Sequence, residues 1–373
     1  MTQPRGQRPK VLHFVTGGFS GATQVAVDLV RAHGVSGRFD ALLVLRRKRT
    51  TLPERVRALQ ADGLRVELVP GWSHAATVWA LASLCRRFQP DILVAHGYSE
   101  HLWGRYAGLL AGVRHLVHVE HNSRERYNAW RLVQARWLAR RTDAIVGCSE
   151  GVRSALLGYG FPQDRVHAIP NGIRLEPYAN APAHTFVQRI PGIVMAARFA
   201  RQKDHATLLQ AVALLRTRGL RPPVLLAGGG KASARRAAER LAQTLGLADQ
   251  VTFLGHCNDV PGLLKGHQIC VLSTHYEGMP LSLIEGMAAG CAVVGSQVVG
   301  VQEVVDSGRT GLLVEHANPQ ALADALATLL NQPQDAARMA AAAHAEVLQR
   351  YGLNTMTDRY EALLGSLLEK PVL

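Results

Sequence analysis

Short apolar runs alternate with longer amphipathic stretches along this 373-residue chain. The runs are rich in valine, leucine and alanine without polar alternation, which is typical of strands buried on both faces of a parallel sheet. The stretches between them have helical spacing, so the pattern predicts a parallel α/β architecture. The predicted strands are residues 11–15, 41–45, 65–69, 91–95, 115–119, 144–147, 192–196, 224–227, 251–254, 269–273, 292–295 and 311–314.

The alternation stops once, in the turn-rich segment IPNGIRLEPY at residues 169–178. Such a segment is typical of an interdomain linker, and the chain length suits two domains. We therefore predict an N-terminal Rossmann-like domain over residues 1–170 and a C-terminal one over residues 171–353. Residues 354–368 carry a final helical pattern.

The first predicted strand leads into the glycine-rich segment TGGFSGATQ and a helix over about residues 23–33. Strand, glycine loop and helix form the first unit of a doubly wound fold. Gly17, Gly18 and Gly21 would allow a ligand to approach the backbone closely.

The strongest candidate for a functional site is the segment HYEGMPLSLIEGMAAG at residues 275–290, which holds two carboxylates. A buried strand precedes this segment, and the turn at Gly278 and Met279 should separate that strand from a helix. The pattern places Glu277 in the loop and Glu285 in the first helical turn. Carboxylates at these points can accept hydrogen bonds from sugar hydroxyls.

The start of the same helix offers N–H groups near Leu281 and Ser282, and the positive end of a helix dipole suits a phosphate. A structural alternative exists, because Ser282 and Glu285 also fit a capping box. Glu277 has no comparable structural role. A nucleotide-sugar site is the hypothesis that uses both carboxylates.

Polar and charged residues also follow other predicted strands. Arg198 and Lys203 lie in AARFARQKDH, where two cations at one strand tip suit a diphosphate leaving group; solvated surface charges are the alternative. His121 lies in LVHVEHN at another strand tip, where polar groups are costly unless used or exposed. His96 ends an earlier strand and is a weaker candidate.

The segment YEGMPLSLIEGMAAGCAVVGS, with its E-x7-E spacing, resembles the signature of the retaining GT-B glycosyltransferases of family four. The resemblance implies two Rossmann-like domains that face each other across a cleft. It also implies that a C-terminal helix in residues 354–373 crosses back to the first domain. AARFARQKDH is similar to the Arg-x4-Lys element of the same family.

The resemblance also implies roles for individual residues. Glu277 and His121 would contact the donor sugar, Glu285 the nucleotide ribose, and Arg198 and Lys203 the donor phosphates. Glu303 would position a helix near the site. The remaining donor-binding candidates are Gly17, Gly18, His256, Gly278, Met279, Leu281 and Ser282.

The activity that the resemblance implies is retaining transfer of a hexose from a nucleotide-diphosphate sugar. The acceptor would be lipid-linked, a polysaccharide or a small molecule, as in cell envelope polysaccharide biosynthesis. A donor phosphate oxygen would deprotonate the acceptor, so we name no protein base. We expect no cofactor and no metal, because the chain contains no Asp-x-Asp pair to hold a cation on the diphosphate.

The net charge of +14 is uneven, since residues 1–170 hold 24 Lys or Arg against 12 Asp or Glu. This asymmetry indicates an anionic membrane surface or an anionic acceptor for the first half, and the absence of a recognised module argues against nucleic acid. Residues 129–141 combine Trp130, Val133 and Trp137 with four arginines, which suits an interfacial helix; a core-facing helix is the alternative. Other basic clusters are at residues 46–49, 86–87 and 124–126.

No apolar run reaches the length of a membrane span, and the polar, basic start of the chain differs from a secretory signal. We therefore expect a cytoplasmic protein that associates peripherally with the inner face of the membrane. The five cysteines lack C-x-x-C spacing and should be buried free thiols.

Two other functions remain open from the sequence. One is an NADP-dependent Rossmann oxidoreductase, with Arg46, Arg47 and Lys48 on the 2′-phosphate, although the glycine spacing departs from G-x-G-x-x-G. The other is a non-catalytic protein that binds a nucleotide sugar or a polyanion. The oxidoreductase hypothesis leaves Glu277 and Glu285 unexplained. A protein that only binds its ligand would not need all four of the charged residues Arg198, Lys203, Glu277 and Glu285.

Overall fold

The computed structural model describes residues 8–123, 127–179 and 186–369, without the side chain of Tyr98. The basic cluster at residues 124–126 therefore lies outside the described residues. The chain divides into two compact units: unit 1 comprises Met1–Asn171 and Asn354–Leu373, and unit 2 comprises Gly172–Leu353. Each unit holds a parallel sheet with helices, so the predicted fold class of two Rossmann-like α/β domains is confirmed.

Unit 1 contains a seven-stranded parallel sheet in the order β3-β2-β1-β4-β5-β6-β7. The order reverses between β1 and β4, which makes this the switch point of the sheet. The strands are β1 (Lys10–Thr16), β2 (Asp40–Arg46), β3 (Val66–Val69), β4 (Ile92–His96), β5 (His115–Glu120), β6 (Ala144–Gly147) and β7 (Val166–Ala168). The helices are α1 (Gly21–Ser36), α2 (Pro53–Ala61), α3 (His74–Phe88), α4 (Tyr98–Ala111), α5 (Ala129–Ala139) and α6 (Glu150–Gly158).

In the part of the chain that the structure describes, the core of unit 1 includes two apolar clusters beside its first strands. Val27 of α1 and Val56 of α2 pack in one cluster, and Leu81 of α3 and Ala107 of α4 pack in the other. The strands are buried on both faces because helices cover both sides of the sheet, which explains their unbroken apolar runs.

Unit 2 contains a six-stranded parallel sheet in the order β10-β9-β8-β11-β12-β13, which reverses between β8 and β11. The strands are β8 (Ile190–Ala196), β9 (Val224–Ala227), β10 (Val251–Gly255), β11 (His267–Leu272), β12 (Ala292–Ser296) and β13 (Leu312–Val314). The helices are α7 (His205–Thr217), α8 (Ala232–Thr244), α9 (Val260–Lys265), α10 (Leu281–Ala288), α11 (Val299–Gln302), α12 (Pro319–Asn331) and α13 (Pro333–Arg350). The last helix of the chain, α14 (Leu353–Leu368), groups with unit 1.

All twelve predicted strands occur within two residues of their predicted bounds. The sequence pattern missed β7, because three residues are too few to show a period. The first helix begins two residues earlier than predicted, where the Ser20 N–H donates to Thr23 Oγ1 at 3.2 Å. Within the described ranges, no helix has both the length and the apolarity needed to cross a membrane.

Candidate functional site

The two loops that carry the predicted cations and Glu277 lie at the carboxyl ends of neighbouring strands. Arg198 is exposed just beyond β8, and Lys203 follows in the loop between β8 and α7. Glu277 lies in the loop between β11 and α10. Because β8 and β11 flank the switch point, these side chains are at the edge where open α/β sheets bind ligands.

Lys203 and Glu277 form an ion pair between the ammonium and the carboxylate Oε2. Both side chains are largely buried, with exposed fractions of 13% and 12%. The backbone fixes this pairing, since Lys203 bridges Thr274 in antiparallel fashion and the Gln202 Nε2 donates to the carbonyl of Tyr276 at 2.8 Å. The sequence analysis assigned Lys203 to the donor phosphates and Glu277 to the donor sugar. In the structure, these two side chains are paired with each other.

Helix α10 begins one residue after Pro280, and no side chain caps it. The capping-box alternative is therefore wrong: Ser282 is the second helical residue, and Glu285 lies in the second turn rather than the predicted first turn. Burial raises the pKa of Glu285 to about 7. The buried hydroxyl of Tyr178 lies close enough to interact electrostatically with Glu285, and its pKa is raised mainly by burial.

The N–H groups predicted to bind phosphate differ in availability. The Leu281 N–H donates to the carbonyl of Met279 at 3.0 Å, whereas the Ser282 N–H has no acceptor in the described part of the chain. Gly300, in α11, donates to the carbonyl of Glu277 at 3.2 Å. A Cβ on Gly300 would collide with the backbone of Glu277 and Gly278, so this glycine lets α11 support the Glu277 loop.

His256 is exposed immediately after β10, at the same edge of the sheet but two strands away from β8. Behind it, Asp259 caps α9 by accepting from the Gly262 N–H at 2.8 Å.

The glycines of the first loop have different surroundings. Gly17 donates to the carbonyl of Arg46 at 2.8 Å, and a Cβ there would lie 2.7 Å from that oxygen. Gly17 is therefore required by packing against the end of β2. Gly18 is exposed and would accept a Cβ with ordinary contacts, and a Cβ on Gly21 would meet open space.

His121 is half-buried just beyond β5. Its Nε2 lies 3.3 Å from Nδ1 of His96, and its backbone N–H donates to Glu120 Oε1 at 2.8 Å. Burial lowers the pKa of His121 to about 4. The ring is therefore neutral at physiological pH and can accept a hydrogen bond at one nitrogen while donating at the other.

A second polar cluster surrounds the buried guanidinium of Arg105. His101, His118 and Glu120 offer ligand atoms within 4.8 Å of one another, which is close enough to share a metal ion. However, Arg105 Nη2 lies 2.6 Å from His101 Nδ1, and burial lowers the pKa of Arg105 only to about 10. A cation already occupies this cluster, which opposes a second one.

The cations proposed for an NADP 2′-phosphate are already paired. Arg46 is 4% exposed and lies 3.5 Å from Glu100, and Lys48 lies 3.0 Å from the same carboxylate. Arg47 remains exposed. The structure therefore removes two of the three cations on which the oxidoreductase hypothesis depended.

Helix α5 turns its large apolar side chains outward. Trp130, Val133 and Trp137 are 71%, 57% and 44% exposed, whereas the buried residues of the helix include Ala135 and Leu138. The alternative that placed the tryptophans in the core is therefore wrong. The buried stripe of the helix consists of Ala135, Leu138 and Ala139 instead, and the helix packs against α4.

Two family models match the sequence, one for each half. "Glycosyltransferase Family 4" covers residues 19–177, and "Glycosyl transferases group 1" covers residues 181–346. The chain is a family four glycosyltransferase.

Relatives of this family four glycosyltransferase include EpsF of Bacillus subtilis, 33% identical over 218 residues that make up 54% of this chain and 56% of EpsF. The lipopolysaccharide core biosynthesis glycosyltransferase LpsE of Rhizobium meliloti is 26% identical over 61% of this chain and 65% of LpsE. The matched region thus spans less than two thirds of either relative. The D-inositol 3-phosphate glycosyltransferase of Xylanimonas cellulosilytica is 28% identical over 78% of this chain and 76% of its own length.

Solved structures share the fold of the family four glycosyltransferase. HepE of Anabaena, in complex with UDP and glucose, has a TM-score of 0.83 at 22% identity and covers 96% of this chain and 100% of its own. Sucrose-phosphate synthase from Thermosynechococcus elongatus has a TM-score of 0.83 at 20% identity, with 97% and 100% coverage. The fold is therefore GT-B, as predicted.

The sequence analysis overlooked some residues that shape the site of this family four glycosyltransferase. Gly228 and Gly230 have φ of 156° and 132°, and side chains there would collide with the backbone at Ala197 and Phe199. They allow the loop after β9 to lie against the segment that carries Arg198. Three consecutive glycines after a buried strand were the available signal. Tyr178, in the predicted linker, gave no signal.

Proposed function

We propose that this chain transfers a sugar from a nucleoside-diphosphate donor to a hydroxyl acceptor, with retention of configuration at the anomeric carbon. The observation that carries the proposal is the Lys203–Glu277 ion pair at the switch point of unit 2. A cation for the diphosphate and a carboxylate for the sugar lie side by side there, as a donor that contains both groups requires. The complex of HepE with UDP and glucose supports a UDP-linked donor.

In the proposed reaction, the departing diphosphate is stabilised by Arg198, Lys203 and the Ser282 N–H. Arg198 is exposed and available to a ligand. When the donor binds, its phosphates compete with Glu277 for Lys203, and the displaced carboxylate accepts hydrogen bonds from the sugar. These charges act where negative charge develops in the transition state, and they let the reaction proceed without a metal ion.

Glu285 binds the ribose hydroxyls in this proposal. Burial has already raised the free energy of its charged form, as the pKa of about 7 indicates. Two hydroxyl donors would offset that cost, so binding of the nucleotide should favour the ionised carboxylate. Neither Glu285 nor Glu277 is assigned as a nucleophile; a donor phosphate oxygen takes the acceptor proton on the face that the leaving group vacates.

The acceptor is proposed to be anionic or lipid-linked and to be met at an anionic membrane surface. The exposed side chains of Trp130, Val133 and Trp137, with the exposed arginines of α5, form an amphipathic surface of the interfacial type. LpsE, whose name assigns it to lipopolysaccharide core biosynthesis, supports a role in cell envelope polysaccharides.

The proposal is tested in two steps. Thermal shifts against nucleoside diphosphates and their hexose derivatives should identify one nucleotide that stabilises the protein. The matching sugar donor should then yield a product whose anomeric proton coupling in NMR matches the configuration of the donor. An inverted product would disprove retention, and indifference to every nucleotide would disprove the donor class. Lys203→Ala is the matched inactive control, because it removes the proposed phosphate contact.

A further inference from the structure

One pocket of unit 1, with a volume of about 420 Å³, is lined by arginine and apolar side chains. Its apolar lining includes Leu109 and Val113. Among the described residues that line it, the one carboxylate is that of Asp143. The arginines of this pocket, which we call the arginine pocket, are Arg114, Arg140, Arg141 and Arg165.

The arginine pocket lies at the amino ends of three neighbouring strands. Arg114 directly precedes β5, Arg141 lies three residues before β6, and Arg165 directly precedes β7. Open α/β sheets bind their substrates at the carboxyl ends of the strands, and His121 follows the carboxyl end of β5. The arginine pocket is therefore separate from the candidate site residues of unit 1.

Asp143 does not neutralise the exposed arginines of the pocket. Its Oδ2 accepts from the Leu116 N–H at 2.8 Å, and its Oδ1 lies 3.3 Å from Nδ1 of His115. Neither Arg140 nor Arg141 forms an ion pair with a carboxylate in the part of the chain that the structure describes. Two exposed guanidinium groups therefore remain available to an anion.

Arg165 supports the segment that carries these two arginines. Its Nη1 donates to the carbonyl of Arg140 at 2.9 Å and to that of Thr142 at 3.1 Å. Its Nε lies 3.8 Å from Oδ2 of Asp164, a carboxylate that is exposed and therefore interacts weakly. Arg165 thus fixes the backbone of the pocket while its own guanidinium lines it.

Arg141 connects the arginine pocket to an exposed apolar surface. Its Nη1 donates to the Trp137 carbonyl at 3.1 Å, and its guanidinium carbon lies 3.9 Å from the centre of the Trp137 ring. Trp137 is exposed, as are Leu109 of the pocket lining and its neighbour Leu110. Positive charge and exposed apolar side chains are therefore adjacent, as the binding of an amphiphilic anion requires.

A second basic pocket of unit 1 differs in that its cations are already paired. It has a volume of about 770 Å³ and lies at the amino ends of β1 and β2. Arg31 and Arg65 line it, but each lies 2.6 Å from a carboxylate oxygen, of Asp62 and Asp40 respectively. The smaller arginine pocket therefore offers more unneutralised charge than the larger one.

The charge of the arginine pocket favours a phosphomonoester. Such a group carries a charge of about −1.5 to −2 at pH 7 and has three terminal oxygens, so it can accept hydrogen bonds from several guanidinium groups at once. A phosphodiester offers less charge and fewer free oxygens. The exposed Trp137 and Leu110 beside the pocket suit the apolar boundary of a lipid layer.

We propose that the arginine pocket binds the phosphomonoester headgroup of an anionic lipid. This proposal deepens the membrane attachment proposed above and rests on it, but it depends neither on the sugar donor nor on the transfer reaction. Because the pocket lies at the amino ends of the strands, the lipid bound there serves for attachment and is not the acceptor.

The first test measures binding of the full-length protein to phosphatidylcholine vesicles that contain either phosphatidic acid or phosphatidylserine, matched in zeta potential. We expect the phosphatidic acid vesicles to bind about tenfold more tightly, the effect of one further charge-assisted hydrogen bond. Equal affinity would overturn the pocket and leave the membrane attachment standing. Failure to bind either kind of vesicle would overturn both.

The second test removes the two exposed guanidiniums with the double variant Arg140→Gln, Arg141→Gln, which should abolish the preference for phosphatidic acid. The matched control, Arg55→Gln with Arg57→Gln, removes two exposed arginines from α2, which packs on β3 at the other end of the sheet. The control should lower binding to both vesicles equally and keep the preference. If the pocket variant, shown to be folded by circular dichroism, keeps the preference, the proposal fails.

The third test uses glycerol 3-phosphate, a soluble phosphomonoester without acyl chains. Calorimetric titration should show binding at least about tenfold weaker than to phosphatidic acid vesicles, because Trp137 and Leu110 then have no apolar phase to enter. Equal affinity for the two probes would show that the pocket serves a soluble phosphate compound, and it would overturn the assignment to a lipid.

Discussion

Lys203 and Glu277, 74 residues apart in the chain, form an ion pair between the loops that follow the neighbouring strands β8 and β11. In the absence of donor, each neutralises the other in a largely buried position. Any phosphate that reaches Lys203 must compete with this carboxylate, and the released carboxylate becomes an acceptor for hydroxyl groups. In the reaction proposed above, the pair would therefore couple recognition of the diphosphate to recognition of the sugar.

We predict that Glu277→Gln mainly lowers turnover, whereas Glu285→Gln mainly weakens nucleotide binding. Loss of a hydrogen bond to a charged group costs about 1.5–3 kcal/mol, so kcat of Glu277→Gln should fall roughly ten- to a hundredfold. Its affinity for bare UDP should be unchanged or higher, because Lys203 loses its competitor. Calorimetric titration of both variants with UDP is the measurement. Equal weakening of UDP binding by the two substitutions would show that the assignments are wrong.

Transfer should also survive excess EDTA. In the proposed site, Arg198 and Lys203 meet the diphosphate charge. Removing divalent cations should therefore change the initial rate less than twofold, while Lys203→Ala should abolish most of the activity. The measurement is the initial rate in EDTA with and without added magnesium or manganese. Activity that is lost in EDTA and restored by either metal would contradict this prediction.

These assignments show where sequence reasoning succeeds in this chain. The strands were predictable because burial on both faces leaves an unbroken apolar signature, and the candidate loops followed from the strand ends. The pairing of Lys203 with Glu277 was not predictable, because it depends on β8 lying beside β11 in the sheet. The placement of Glu285 in the first helical turn was wrong: α10 begins at Leu281, so Glu285 is its fifth residue and lies in the second turn. Ser282, the second residue of the helix, has no capping role.

The side-chain environments were harder to predict than the elements. His13, His96 and His121 contact one another because β1, β4 and β5 are neighbours in the sheet. That neighbourhood follows from the reversal of strand order and not from any local sequence pattern. Trp130 and Trp137 have helical spacing that is compatible with a core, and only the packing of Ala135 and Leu138 shows which stripe is buried. Strand order and helix packing therefore determine which side chains meet, and hydrophobic periodicity alone does not show either.

The pH dependence of nucleotide binding should report Glu285. Its pKa of about 7 in the free protein is raised by burial, and ribose hydroxyls bind the ionised form better. Affinity for UDP-glucose should therefore rise as pH increases towards about 8 and level off above, with a proton released on binding near pH 6.5. Tyr178 and Cys270, which interact with this carboxylate, have raised pKa values and stay neutral throughout.

Glu285→Gln is the control for this titration and should remove the pH dependence between pH 6 and 8. The change of folding stability with pH gives a second check on the raised pKa of Glu285. A carboxyl group with a raised pKa in the folded state contributes stability below its unfolded pKa of about 4.5 and loses that contribution as pH rises through about 7. The free wild-type protein should thus lose stability relative to Glu285→Gln over that range, as followed by urea unfolding. An unchanged difference would contradict the raised pKa.

Gly300→Ala should damage the site through its backbone. The added methyl group would lie 2.6 Å from the carbonyl oxygen of Glu277 and collide with Gly278, so the Glu277 loop must shift. Because a misplacement of about 1 Å can cost on the order of a hundredfold in rate, kcat should fall by at least tenfold. Gly365→Ala, within α14 and with open space around its Cβ, should retain activity and gain up to about 1 kcal/mol of stability. Equal activity of the two variants would refute the packing argument.

Finally, the surface of α5 should bind vesicles that contain anionic lipid. Each basic residue near an anionic leaflet contributes about 1 kcal/mol, screened by salt, and the exposed Trp130 and Trp137 can enter the interface. Co-sedimentation should increase with the anionic fraction and decrease with salt. Converting Arg136, Arg140 and Arg141 to glutamate should weaken binding at least about a hundredfold.

The matched control makes the same change of charge at exposed arginines of unit 2, which are Arg221, Arg236 and Arg240. If both triple variants lose binding equally, net charge and not α5 governs attachment; if lipid charge and salt have no effect, the basic half serves solubility or the acceptor instead.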